Sequence, residues 1–80
     1  MSNIMPEKAK ELFLTFKKAI EAEREAQTMY LEAIDQTDDS FLKNILNGFY
    51  QDEVRHENEL MEQYKRLRNT YGNNHPLNNY

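Results

Sequence analysis

The sequence predicts an all-α protein, an antiparallel two-helix hairpin that dimerises into a four-helix bundle. Only two glycines and two prolines occur among the 80 residues, which favours long uninterrupted helices. Apolar residues recur at alternating spacings of three and four in two long stretches, as expected for helices that each pack along one face. Two such helices leave further apolar faces uncovered, and a second copy of the hairpin would cover them.

The first helix is expected to span about residues 6–37. Pro6 suits the first turn, because the amide that proline lacks would have no helical partner there. The positions with the three-and-four spacing are Phe13, Phe16, Ile20, Glu23, Gln27, Tyr30, Ile34 and Thr37. The polar residues at 37–40 predict the turn, since Asp and Ser commonly cap the start of a helix.

The second helix is expected to span about residues 40–69. Its positions with the same spacing are Leu42, Leu46, Phe49, Glu53, His56, Leu60, Gln63 and Leu67. Gly48 inside it costs roughly 1 kcal/mol relative to Ala, and it is either simply tolerated or marks a close helix contact. The chain therefore divides into a lead over residues 1–5, a helical hairpin over 6–68 and a loose, asparagine-rich tail over 69–80.

Composition excludes several classes of function. The chain has no cysteine, which excludes disulfides, thiolate metal sites and cysteine nucleophiles. Charged residues among the first twenty argue against a signal peptide, and no run approaches the roughly 20 apolar residues that cross a bilayer. The net charge of −4 argues against nucleic-acid binding, which needs a clustered basic face. We expect a soluble, cytoplasmic protein without nucleic-acid or membrane partners.

Both packing faces are apolar except in the middle, where Glu23, Glu53 and His56 replace hydrophobic side chains and Gln27 lies beside them. Glu53 and His56 are three residues apart, so they project from the same face of one helix. Ionised carboxylates on a packing face cost several kcal/mol unless they are paired or bind metal. Carboxylate oxygen and imidazole nitrogen together suit iron, manganese or zinc.

A hairpin brings these three residues to one level. With the turn centred between Asp38 and Asp39, Glu23 lies about 15 residues before the centre, and Glu53 and His56 lie about 14 and 17 residues after it. At a rise of about 1.5 Å per residue, the three lie within about one helical turn of the same height. A two-fold dimer would double the set to four carboxylates and two imidazoles, which is the ligand set of a two-metal centre in a four-helix bundle.

Two segments resemble the motifs of rubrerythrins and related ferritin-like proteins. The stretch from Glu23 to Tyr30 resembles their first-helix motif, and the stretch from Asp52 to His56 resembles the second. The single short hairpin is most similar to the encapsulated ferritins, whose subunits build a ferroxidase centre across a dimer interface. The resemblance covers about residues 10–68 and implies a ferroxidase that oxidises Fe(II) to Fe(III) for iron storage or detoxification.

The same resemblance implies roles for individual residues. Glu23, Glu53 and His56 match catalytic iron ligands, with one iron per chain and two per dimer, and Glu53 matches the carboxylate that bridges the metals. Tyr30 matches an aromatic residue beside the centre, where it would orient a ligand carboxylate. Glu25 aligns with a carboxylate that gathers iron at the entrance. Gln27 is expected beside the ligands.

Alternatives remain open at this point. The tail over 69–80 lacks the Gly-Ser-Leu-like docking peptide of proteins destined for an encapsulin shell. One hairpin cannot form the closed compartment that iron storage needs, so storage would require either a ring-like assembly of dimers or a nanocompartment formed by another protein, such as an encapsulin shell. A rubrerythrin-like peroxidase or oxidase would need an external reductant, because the chain has no paired cysteines. A non-catalytic helical dimerisation module would need no metal at all.

Overall fold

The computed structural model describes residues 7–71, which form two long helices joined by a short turn. Helix α1 spans Glu7–Asp35 and helix α2 spans Ser40–Tyr71, and the two pack against each other along their length. The molecule measures 60 × 19 × 15 Å along its principal axes. The predicted all-α helical hairpin is confirmed.

Helix α1 ends two residues before the predicted limit of 37. The amide of Gln36 donates hydrogen bonds to the carbonyls of Glu32 and Ala33, at 3.0 and 3.1 Å, so the last turn tightens there. The Thr37 hydroxyl accepts a hydrogen bond from the amide of Asp39 at 3.2 Å. Thr37 thus belongs to the turn, because its side chain offers the backbone an alternative to the helical bond.

Helix α2 begins at Ser40 because Asp39 caps it. One carboxylate oxygen of Asp39 accepts hydrogen bonds from the amides of Phe41, at 2.9 Å, and Leu42, at 3.2 Å. The Asp39 carbonyl accepts the first helical bond, from the amide of Lys43 at 2.9 Å. These are the contacts of an N-cap residue, so the predicted helix start near residue 40 is confirmed.

Helix α2 continues through Tyr71, so the prediction of a loose tail from residue 69 is wrong for residues 69–71. The Tyr71 ring lies against the Phe13 ring, with centroids 6.0 Å apart. This cross-helix contact extends the packing by one more half-turn than the polar composition indicates. The rest of the predicted tail and the predicted lead over 1–5 lie outside the described residues.

The buried core lies at the end of the hairpin away from the turn. Among residues 7–71 the buried side chains are Ala9, Phe13, Ile20 and Tyr64. The Phe13 and Tyr64 rings meet edge to face, with centroids 5.4 Å apart, an arrangement that adds to the gain from area burial. Phe16, Leu60, Met61 and Leu67 pack around this core.

Many large apolar side chains stay exposed on the single hairpin. Residues that expose more than a third of their surface include Leu12, Leu42, Ile45 and Phe49, and Phe41 exposes 73%. A Cβ added at Gly48 would meet no atom within 4 Å, so no close helix contact explains this glycine within the hairpin. Neither described helix combines the length and apolar character needed to cross a membrane.

Candidate metal centre

Glu23 on α1 and Glu53 and His56 on α2, hereafter the triad, come together at one level of the helix interface. One ligand atom from each side chain lies within 4.8 Å of the other two. Glu23 follows the fully buried Ile20 by one turn, so the core fixes the direction in which it projects. The three residues that the sequence places at equal height are therefore in mutual reach.

The His56 ring faces both carboxylates. Its Nδ1 lies 3.4 Å from Oε1 of Glu53 and 3.6 Å from Oε1 of Glu23. These separations are long for hydrogen bonds, which for nitrogen and oxygen usually fall between 2.7 and 3.2 Å. The three groups thus surround a common point without satisfying one another fully.

The pKa values of the two triad carboxylates are shifted in opposite directions. A hydrogen bond with Glu53 raises the pKa of Glu23, and burial and the charge of Glu53 act in the same direction. The same hydrogen bond lowers the pKa of Glu53, with His56 contributing. Opposite shifts of two adjacent carboxyl groups describe a pair that avoids holding two negative charges. A cation between them would replace the proton.

One oxygen of the triad has no hydrogen-bond partner. Oε1 of Glu23 is buried, and within the described part of the chain it has no hydrogen-bond partner. Buried polar atoms are nearly always satisfied, so an unsatisfied one calls for an explanation such as an ion. The donor set of two carboxylates and one imidazole fits iron, manganese or zinc. Three ligands from one chain leave coordination positions for others.

An open groove of about 330 Å³ adjoins the triad. It is lined by Phe16, Glu23, His56, Glu59, Leu60 and Gln63. The apolar side chains of Phe16 on α1 and Leu60 on α2 therefore lie beside Glu23 and His56. The groove opens towards the outside of the hairpin. The triad is thus accessible to an ion or to a second protein surface from this side.

Glu57 has a role that the sequence reasoning missed. Its Oε2 accepts a hydrogen bond from Nε of Arg24 at 2.6 Å, and its Oε1 accepts one from Nε2 of Gln27 at 2.7 Å. The pairing with Arg24, followed by that with Gln27, lowers the pKa of Glu57. Glu57 lies in a polar stretch that includes Arg55 and Glu59, so in sequence it looks solvent-exposed. The available signal was the opposite charge of Arg24 at a similar distance from the turn.

The other three predicted site residues, Gln27, Tyr30 and Glu25, have different surroundings. Gln27 bonds to Glu57 rather than to a triad residue. The Tyr30 ring packs against Phe49, with centroids 5.6 Å apart, and among residues 7–71 no hydrogen bond joins it to a triad carboxylate. Glu25 is exposed on α1. The structure therefore brings together the three predicted ligands, and among residues 7–71 no hydrogen bond joins Gln27, Tyr30 or Glu25 to them.

The resemblance to rubrerythrins and encapsulated ferritins rests on the triad residues and Tyr30. It stays a prediction from sequence, because a hairpin with three converging ligands is compatible with more than one metal and more than one chemistry. Compared with known proteins, the chain matches no family model, no curated protein and no solved structure.

Proposed function

We propose that this protein is a ferroxidase, which oxidises Fe(II) to Fe(III) at a two-iron centre formed between two copies of the hairpin. The observation that carries the proposal is the convergence of Glu23, Glu53 and His56, whose ligand atoms lie within 4.8 Å of one another. The product Fe(III) would serve iron storage or detoxification.

A second copy is proposed because one chain supplies neither a complete set of metal ligands nor a complete hydrophobic core. Three ligands leave positions open, and a two-fold axis beside the triad doubles them to four carboxylates and two imidazoles. The same contact would cover exposed apolar side chains such as Leu12, Ile45 and Phe49. One association would therefore complete the metal centre and bury the open face.

Residues of the chain itself would bind the metal ions, orient them and shield them from water. Glu23 and Glu53 would neutralise the cations, and Glu23 would release its proton when metal enters. His56 would bind through a ring nitrogen as a neutral base. Phe16 and Leu60 would exclude water once the second copy packs on them. Bound iron would supply the electrons for reducing oxygen.

Oxidation of Fe(II) by air tests this proposal. We expect the wild-type protein to accelerate oxidation over the protein-free rate, and Glu53→Ala to fall to that background because two carboxylates per dimer are lost. Glu62→Ala is the matched control, since Glu62 is an exposed glutamate on α2 outside the triad and the groove. It should retain the wild-type rate.

Other outcomes point to other functions. Equal rates for wild type, Glu53→Ala and the protein-free sample would reject the ferroxidase and leave a dimerisation module. Oxidation that is much faster with peroxide than with oxygen would favour a peroxidase that needs an external reductant. Tight binding of manganese or zinc without iron oxidation would keep the site and change its metal.

A further inference from the structure

A second polar cluster lies at the level of the triad and is built on the same two helices. Arg24 follows Glu23 in the chain, and Glu57 follows His56. The Arg24–Glu57 pair joins α1 to α2 at 2.6 Å, and Gln27 holds the second oxygen of Glu57 at 2.7 Å. The Glu57 side chain is only 19% exposed, compared with 52% for Arg24. Both carboxylate oxygens of Glu57 are therefore occupied across the interface.

This cluster places a guanidinium close to the metal ligands. Glu57 is four residues after Glu53, so the two carboxylates project from neighbouring positions on one side of α2, about one turn apart. Arg24 already reaches across from α1 to this side. A guanidinium binds carboxylates in a fork-shaped pair of hydrogen bonds, and it carries its charge at every physiological pH. If the Arg24 guanidinium lay beside the carboxylate of Glu53 or Glu23, it would compete with a metal ion for that carboxylate.

We propose that Glu57 is a positioning residue that holds the Arg24 guanidinium away from the triad, which keeps the Glu23 and Glu53 carboxylates available to a cation. Glu57 acts as the preferred partner because its carboxylate accepts a hydrogen bond from Arg24 with one oxygen and from Gln27, which keeps it in place, with the other. The inference deepens the proposed function and rests on metal binding by the triad. It assigns Glu57, itself an acidic residue beside a ligand, a role other than ligation.

A neighbouring ion pair shows what is particular to Glu57. Arg55 and Asp52 also lie within three residues of triad members, but they pair with each other on one helix at 3.2 Å, and their side chains are 60% and 52% exposed. Such a local surface pair does not cross the interface. Asp52→Asn is therefore the matched control, since it removes one negative charge next to Glu53 while leaving Arg24 and Glu57 paired.

The test is a titration of the metal-free protein with Co(II), followed by the visible absorption of the bound ion. Glu57→Gln should bind Co(II) roughly 10-fold more weakly, in the range known for residues that support metal ligands, because Arg24 then pairs with a triad carboxylate. Arg24→Met should bind at least as tightly as wild type. The double variant Arg24→Met/Glu57→Gln should return to within about two-fold of Arg24→Met, because the two substitutions are coupled.

Three results would overturn the inference. A double variant as weak as Glu57→Gln would mean that the cluster only holds the helices in register. An equal loss in Asp52→Asn would mean that any negative charge nearby suffices. Wild-type affinity in Glu57→Gln would remove any role in binding. Failure of both wild type and Arg24→Met to bind Co(II) would instead reject the metal site itself, and with it the proposed function. Far-ultraviolet circular dichroism of each variant establishes that the helices persist.

Discussion

Two glutamates and a histidine occupy positions on the packing face where neighbouring turns carry Phe16, Ile20, Phe49 and Leu60. The carboxylates of Glu23 and Glu53 repel each other when both are ionised, and their pKa values are shifted in opposite directions. In addition, Oε1 of Glu23 has no hydrogen-bond partner within residues 7–71. A hydrophobic residue at these positions would avoid both penalties. This arrangement is expected where the residues of a binding site lower the stability of the fold.

The first prediction concerns the pH dependence of the metal-free protein. The pKa of Glu23 is raised above its ordinary value of 4.5, so its stabilising contribution is complete below that value and is lost as the pH rises through the folded-state pKa. Glu23→Gln imitates the protonated form at every pH and still donates a hydrogen bond. We expect its Tm to equal that of wild type near about pH 4 and to exceed it by a few degrees near about pH 7.

Thermal unfolding at a fixed protein concentration, with a chelator present, measures this difference. The pKa values of Glu57 and Glu53 are lowered, so the contributions of these residues to stability are lost as the pH falls. Glu57 is intact in both proteins, so its contribution cancels in the comparison. A Tm difference that is the same at both pH values would contradict the raised pKa of Glu23. Saturating metal should reverse the order at neutral pH, because the amide is a poorer ligand.

The sequence alone predicts the triad but not its polar neighbours. Burial on a packing face makes Glu23, Glu53 and His56 conspicuous among apolar residues. Glu57 is inconspicuous because its partners Arg24 and Gln27 are 33 and 30 residues away in the chain. Pairs of long polar side chains depend on rotamers and on the rotation of each helix, which spacing does not specify.

At the scale of the helices, local signals decide where α1 ends and α2 begins, whereas a tertiary contact accompanies the far end of α2. Asp39 provides the cap that starts α2, as the polar turn predicts. The far end of α2 extends to Tyr71, because its ring packs on Phe13. Packing across the interface can move a helix end by a residue or two, so composition alone locates it poorly.

The second prediction is that the Asp39 cap stabilises the hairpin. Asp39→Ala removes the acceptor for the amides of Phe41 and Leu42 and should lower the free energy of unfolding by about 1 kcal/mol. Asp38→Ala is the control, because it removes a charge from the same exposed turn but leaves the cap intact. Urea denaturation measures both. Equal losses in the two variants would show that turn charge, and not capping, is responsible.

The predicted packing face also merges two different faces of α2. The spacing selects Gln63 and Leu67, whereas the buried residue of this region is Tyr64. The predicted stripe is therefore displaced from the inner face towards the open side of the hairpin. A stripe that serves two partners is wider than one contact needs, and sequence spacing cannot separate the portion facing α1 from the portion facing outwards.

The whole molecule is a thin rod with little interior. Its cross-section of 19 × 15 Å is about that of two helices side by side, and in the described part of the chain just four side chains are buried. The exposed apolar residues Ile45 and Phe49 lie one turn apart on α2 and on the same side as His56. Single hairpins of this kind rarely supply enough core for stability, and oligomerisation is the usual remedy.

The third prediction is that this side of α2 forms the dimer contact. We expect wild type to be a dimer and Ile45→Lys to be a monomer at micromolar concentration, because an ammonium buried in the contact without a partner would cost several kcal/mol. Met29→Lys is the matched control: Met29 is also exposed, at 54%, but with 3.6 residues per turn it projects from the side of α1 away from Phe16 and Glu23, which line the groove. Sedimentation equilibrium measures the mass. Dimers in both variants would exclude the proposed interface.

The central claim, a metal centre shared between two chains, is tested most directly by an anaerobic Fe(II) titration that records bound iron and assembly mass together. We expect saturation near one iron per chain, with a mass at least that of a dimer that metal stabilises, and no saturable binding by Glu53→Ala. Binding by a monomer at saturation would contradict the shared centre. Equal binding by wild type and Glu53→Ala would contradict the site itself.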